Sequence, residues 1–212
     1  MIGRQAGKPI MPPSSVRTLQ DLLYWQYAKI ISQSAGTGKR QYAFIMDRFS
    51  KLRAGQISWN TLREYVKERE DTSHCIFCNR TGPLTMDHLV PQFLGGPDDE
   101  KNAVWVCASC NSSKGARGLY EYWTDKAGLK GAKYDVPRIA EGKYLKLLDE
   151  ILSPGGYLSW RQKDLHNHVC PSCRLHQLCV SQGSADKMSP LCLDAVAGIA
   201  LANAHLPIGP GA

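Results

Sequence analysis

Residues 75–115 read CIFCNRTGPLTMDHLVPQFLGGPDDEKNAVWVCASCNSSKG. Two Cys-x-x-Cys knuckles, Cys75/Cys78 and Cys107/Cys110, bracket Asp87-His88 and Asn102, and Asn111 and Lys114 follow the second knuckle. Four thiolates at that spacing can close a tetrahedral zinc site, which needs no open position if its task is structural. Asp is a ligand for a hard cation, and His can take a proton near neutral pH. A sulfur-held scaffold carrying a carboxylate, an imidazole and a downstream amide points to metal-assisted hydrolysis. Residues 84–90 read as a short strand and residues 103–106 as its partner, joined by the turn-rich QFLGGPDDEKN. A helix should begin near Cys110 or Asn111 and break or bend near Gly115 or Gly118. Two strands and a helix of this size bury little surface alone, so the four-thiolate zinc is expected to act as their staple.

The order and spacing resemble those of the HNH endonucleases, in the variant whose last motif residue is Asn. The resemblance rests on Cys75-x-x-Cys78, Asp87-His88 with Pro91 three residues on, Gly95-Gly96, Asn102, and Cys107-x-x-Cys110-Asn111-x-x-Lys114-Gly115. It implies a ββα-metal module in which His88 is the general base and Asp87 and Asn111 ligate a catalytic magnesium or manganese ion. Asn102 would pin the loop and orient His88. Lys114, one helical turn beyond Asn111, is either a phosphate contact or a plain surface lysine, and Arg117 is a weaker candidate for the same contact. Asn111 stands where the nominal motif has His, which leaves hydrolysis expected and metal preference open.

Outward from this stretch, the charge is uneven. The chain carries a formal +7, and residues 1–72 hold twelve Lys/Arg against six Asp/Glu, while residues 73–153 balance at ten against ten. The basic third is expected to grip a polyanion, the alternative being a basic solvated helical surface. MIGRQAGKPIMPPSS lacks the apolar core that secretion requires, and the apolar stretch 193–206 is interrupted by Asp194, Asn203 and His205. With the eight cysteines in two local groups, this predicts a cytoplasmic protein that uses thiols for metal and has no membrane segment.

The expected fold class is α+β, mainly α: a helical N-terminal part, the central ββα-metal module with structural zinc, and a C-terminal Cys-rich metal-binding extension. Residues 1–15 read as a mobile arm. Residues 16–72 read as helical, basic and DNA-contacting, with helices over 15–34, over 39–53 and from Ser58 onward. Arg17, Lys29, Lys39, Arg40, Arg48, Lys51 and Arg53 are placed on their exposed faces, and Tyr24, Trp25, Tyr27, Tyr42 and Phe44 are expected to be core rather than base-stacking aromatics. Residues 73–118 form the nuclease-like module, residues 119–153 its helical support, and Ser153-Pro154-Gly155-Gly156 the clearest linker. Residues 154–212 then form the extension.

That extension holds Cys170, Cys173, Cys179 and Cys192. Their spacing suits a second zinc, with His166, His168 or His176 able to replace a thiol, and also resembles the cysteine spacing of iron–sulfur clusters. The closed zinc site already present and the extra histidines favour zinc. The expected activity is metal-dependent endonuclease cleavage of DNA, nicking as a monomer and able to break both strands as a homodimer. Two alternatives are a catalytically silent zinc module that binds DNA, and the same chemistry acting on RNA.

Overall fold

Helix α1 (Leu19–Ser34) starts at Thr18, whose hydroxyl accepts the Asp21 N–H at 3.1 Å while the Asp21 carboxylate accepts the Thr18 N–H at 3.3 Å. This reciprocal pair is a capping box, and it sets the helix start later than the Ser15 suggested by apolar spacing. The computed structural model describes residues 12–35, 41–60, 71–130 and 136–204. The arm over residues 1–11, the helix expected beyond Asn60, and Lys39 and Arg40 lie outside the described residues.

Helix α1 is the axis of the packing. Leu19, Leu22, Leu23, Trp25, Tyr27, Ala28, Ile30 and Ile31 are all buried, which is possible only for a helix covered on most sides. Helix α2 (Gln41–Arg53) lies along it, with Phe49 edge-on to Trp25 at 5.9 Å between ring centroids. Trp25 and Tyr27 are core residues as the spacing implied, whereas Tyr42 is exposed. The basic faces are less free than the sequence suggested. Arg48 and Lys51 pair with Asp47, Arg53 pairs with Asp21, and burial pushes the Lys29 amine below its ordinary range.

Strands β1 (Leu84–His88) and β2 (Ala103–Cys107) form an antiparallel pair in which Asp87 faces Val104 and His88 faces Ala103. Helix α3 (Ala108–Lys114) follows β2 without a loop and ends at Gly115, whose φ of 54° accounts for the break expected there. Helices α4 (Leu119–Lys130) and α5 (Arg138–Leu152) come next, then two shorter pieces, α6 (Gln162–His168) and α7 (His176–Ser181), and last the longer α8 (Pro190–Ala204). The architecture is α+β and mainly α.

Ser153-Pro154-Gly155-Gly156 is a turn and not a linker between separate bodies. Leu152 before it and Tyr157 after it are both buried, and beyond it the Trp160 carbonyl accepts the Leu19 N–H at 2.9 Å. Val16, Leu89, Val104, Val106, Leu148 and Val196 belong to one buried cluster, so the N-terminal helices, the hairpin and the C-terminal helix share a core. The Pro and Gly residues, read from the sequence as a linker, form a chain reversal instead, and the buried apolar residues flanking it hold that reversal against the core. No helix among the described residues is long and apolar enough to cross a membrane.

One buried carboxylate ties this core to the nuclease-like module. Asp194 of α8 accepts the Glu121 N–H at 2.8 Å and the Tyr144 hydroxyl at 2.7 Å, joining α4, α5 and α8. A Cβ on Gly118 would lie 2.3 Å from its Oδ2, so only glycine lets α4 begin there. Burial pushes Asp194 up to about 7, opposed by the Glu121 and Tyr144 hydrogen bonds and assisted by the nearby Glu121 carboxylate, with the Arg174 guanidinium acting against it. An acid raised in the folded state contributes stability that is present below the unfolded value near 4 and is lost as pH rises through about 7. The zinc-loaded protein should therefore lose stability between about pH 4 and about 7 and level off above that, and Asp194→Asn should remove that component. Urea unfolding of both proteins across this range checks the expectation; parallel curves would refute it.

Candidate active site

The four sulfurs come together from the two ends of the module. The Sγ atoms of Cys75, Cys78, Cys107 and Cys110 all lie within 4.8 Å of one another, and Cys78 and Cys107 are 3.7 Å apart. Tetrahedral zinc with Zn–S near 2.3 Å requires sulfurs roughly 3.8 Å apart, so these residues fit the ion. The knuckle is held by backbone bonds: Cys75 N–H donates to Arg80 C=O at 2.9 Å and Ile76 N–H to Trp105 C=O at 3.0 Å. Asn79 takes a φ of 59°, a conformation Asn tolerates, which turns the chain back after Cys78. Burial pushes the Cys75 thiol up, but N–H groups of Cys107, Cys78 and Phe77 outweigh it and bring it to about 7. Cys110 is pushed up by burial and by the neighbouring sulfurs, a crowding that a cation relieves.

Because Cys110 is a cage residue, the cage fixes the residue after it. Asn111 sits against β1, its Nδ2 donating to Met86 C=O at 3.4 Å. Asp87, His88 and Asn111 line one open cleft with Pro91, Gln92 and Phe93. The structure thus brings together three of the residues assigned from the sequence.

Asp87 is 5% exposed, and burial raises its pKa against the pull of the Lys114 ammonium. Its Oδ1 accepts from Lys114 Nζ at 3.0 Å, but its Oδ2 is buried with no hydrogen-bond partner. A buried, partnerless carboxylate oxygen in a cleft shared with an amide is a donor set suited to a hard divalent cation. Asp87 and Asn111 thus present oxygen donors, of the kind a hard divalent cation takes, to the same cleft.

Asn102 is wholly buried and clamps the loop between the strands. Its Oδ1 accepts the Val90 N–H at 2.7 Å, and its Nδ2 donates to Val90 C=O and Pro97 C=O, each at 2.8 Å. A Cβ at Gly96 would lie 2.1 Å from the Val90 oxygen, so the loop closes this tightly only with glycine. The side-chain bonds of Asn102 go to the loop backbone and not to His88, which it was expected to orient. The partner of His88, however, is Asp98, which the sequence reading did not single out: His88 Nε2 lies 3.1 Å from Asp98 Oδ1. The acidic run in an otherwise turn-forming loop was the signal available.

Two candidates for phosphate contact sit elsewhere than expected. Lys114 is 1% exposed, donating to Asp87 and, at 2.6 Å, to His88 C=O. Arg117 is engaged by Asp125 and by the Ser113 and Lys114 carbonyls. Helical spacing placed Lys114 one turn from Asn111 but could not show that this turn faces the hairpin. Removing one member of a buried ion pair costs about 3–5 kcal/mol. Lys114→Met should destabilise the zinc-loaded protein by that amount, and Lys114→Met combined with Asp87→Asn should recover most of it. Urea unfolding of the two variants measures the coupling, and equal losses in both would contradict the pairing.

Cys170, Cys173, Cys179 and Cys192 line a narrow cavity of their own, away from this cleft. The site thus consists of a two-stranded hairpin and a short helix with four clustered sulfurs, and a carboxylate, an imidazole and an amide in one cleft. Residues 75–119 match the family model described as HNH endonuclease. The match spans the segment that carries the motif residues, and the four clustered cysteines of its zinc-binding form lie within it. Searches of curated proteins and of solved structures found no match.

Proposed function

We propose that this protein is a metal-dependent endonuclease that hydrolyses DNA phosphodiester bonds, nicking as a monomer in the cytoplasm. The observation that carries the reading is the shared cleft of Asp87, His88 and Asn111, with the Asp87 Oδ2 left unpaired and buried. Asp87 and Asn111 would hold magnesium or manganese, which when bound would stabilise charge on the phosphate and the leaving oxygen.

His88 supplies the base. With Nε2–H donated to Asp98, the imidazole is fixed in the tautomer whose Nδ1 lone pair takes a proton from water. Asp98 orients the ring. Lys114 holds Asp87 Oδ1 and the His88 carbonyl together, so the carboxylate and the base keep a fixed spacing. Asn102 keeps the Asp98 loop from drifting. The formal charge of +7 suits a polyanionic substrate. The thiolate cage holds structural zinc, and the C-terminal cysteines form a second metal centre outside the chemistry.

Supercoiled plasmid and a structured RNA, incubated side by side with the zinc-loaded protein, test this reading. Open-circle DNA that forms only when magnesium or manganese is added is expected. Cleavage of RNA alone would transfer the chemistry to RNA. Binding without cleavage of either, with both ions, would leave a silent zinc module and end the proposal.

A further inference from the structure

The second cysteine group can be judged by its own geometry, independently of whether the central cleft cuts DNA. Cys170 opens a single 3-10 turn, Cys170–Ser172, with Pro171 inside it, and Cys173 closes that turn. Cys179 lies on α7 and Cys192 in the first turn of α8. Three separate elements thus deliver four thiols to one narrow cavity, walled otherwise mainly by apolar residues such as Leu165, Val169 and Leu191. All four are free of disulfides. The connecting loop is shaped around them. Ser184 donates through its N–H (2.9 Å) and its hydroxyl (3.1 Å) to the Cys179 carbonyl, and the Ser189 N–H reaches Cys192 Sγ at 3.5 Å.

The spacing of the sulfurs separates the two cysteine groups. Cys75, Cys78, Cys107 and Cys110 are the sole set of three or more His, Cys, Asp or Glu residues, among those described, whose ligand atoms are close enough to share one ion. The C-terminal thiols surround a cavity without converging to that distance, and neither does any set of them with His176, which lines the same cavity. One zinc ion draws four sulfurs to roughly 3.8 Å. A cuboidal four-iron cluster has one iron at each of four corners, each bound by its own thiolate, and so holds those thiolates farther apart than a single ion does. The same chain therefore builds one sulfur set at single-ion spacing and another opened around a space. An apolar wall also suits a cluster, whose stability depends on exclusion of solvent.

We propose that Cys170, Cys173, Cys179 and Cys192 hold a [4Fe–4S] cluster, with zinc confined to the central cage. Each thiol gives up its proton and binds one iron; the inorganic sulfides and irons are supplied during assembly. The cluster cross-links the 3-10 turn, α7 and α8, and no redox step is assigned to it.

The test uses the full chain, purified without oxygen and reconstituted with ferrous iron and sulfide, with zinc, iron and acid-labile sulfide measured beside the visible spectrum. About one zinc, four irons and four sulfides per chain are expected, with a broad brown absorption that dithionite bleaches. Two zincs and no iron would overturn the proposal, as would one zinc and no iron. Cys179→Ser should lose iron and colour while keeping zinc, and Cys110→Ser should lose zinc while keeping colour. Iron retained in Cys179→Ser would also overturn it. If that variant does not fold, the metal content of the unaltered chain decides alone.

Discussion

Cys110→Ser protein should bind no zinc at the central cage and should lose its hairpin, while the helices keep their fold. The zinc free energy in small structural sites is about 10–16 kcal/mol at neutral pH, as large as the whole stability of a typical domain at roughly 5–15 kcal/mol. Apart from the ion, the hairpin is held by Leu89, Val104 and Val106 in the shared core and by the Lys114–Asp87 pair, and neither anchors the knuckle. The hairpin has two strands of five residues each, and the knuckle of Cys75 and Cys78 is tied to β2 by a few backbone bonds. The cage joins three places at once, namely the knuckle, the end of β2 and the first turn of α3. Losing the ion frees the helix that carries Asn111 and Lys114. Helices α1, α5 and α8 pack directly on one another, so their helicity should survive. Amide hydrogen exchange reports the outcome. Fast exchange confined to residues 84–114 is expected, and slow exchange there after zinc loss would show that packing alone holds the module.

His88→Ala should cut the nicking rate by about 10²–10⁴-fold, the usual contribution of a positioned general base. The side chain lies at the mouth of the cleft, with a single ring contact to Asp98, so its removal leaves no buried group unpaired. Melting temperature, zinc content and DNA affinity should therefore match those of the unaltered protein. Asp98→Asn should cost less, on the order of tenfold, because it removes an orienting charge but leaves the base in place. Nicking at an undiminished rate by His88→Ala would remove the imidazole from the mechanism. Single-turnover rates on supercoiled plasmid, measured with magnesium and with manganese, separate a lost base from weakened binding.

The central site was legible because its chemistry is local. Two knuckles close together in sequence must meet if they share an ion, and Asn111 beside Cys110 inherits its position from the cage. The strand pair and the helix break at Gly115 follow from the same short range. What the sequence did not disclose depends on which side of an element faces inward. Lys114 reads as a surface lysine until the hairpin is laid across α3, when it becomes the buried partner of Asp87. Asp98 reads as a turn residue until Asn102 and Gly96 fold the loop back toward His88. Asp194 and Tyr144 are far apart in the chain and share no motif, so their hydrogen bond becomes visible only once α5 and α8 are packed. The second cysteine group shows the same limit. Its spacing allowed two metals, and only the fold shows that its four thiols line one cavity.

The carboxylate of Asp194 has a consequence for how this module could be moved. Its contacts with Glu121 and Tyr144 make α8, more than seventy residues downstream, part of the footing on which α4 begins. The motif that names the module is short enough to cut out and graft, yet its foundations lie in the distal helix. Transplanted without that helix, it would carry the right letters on an unsupported frame.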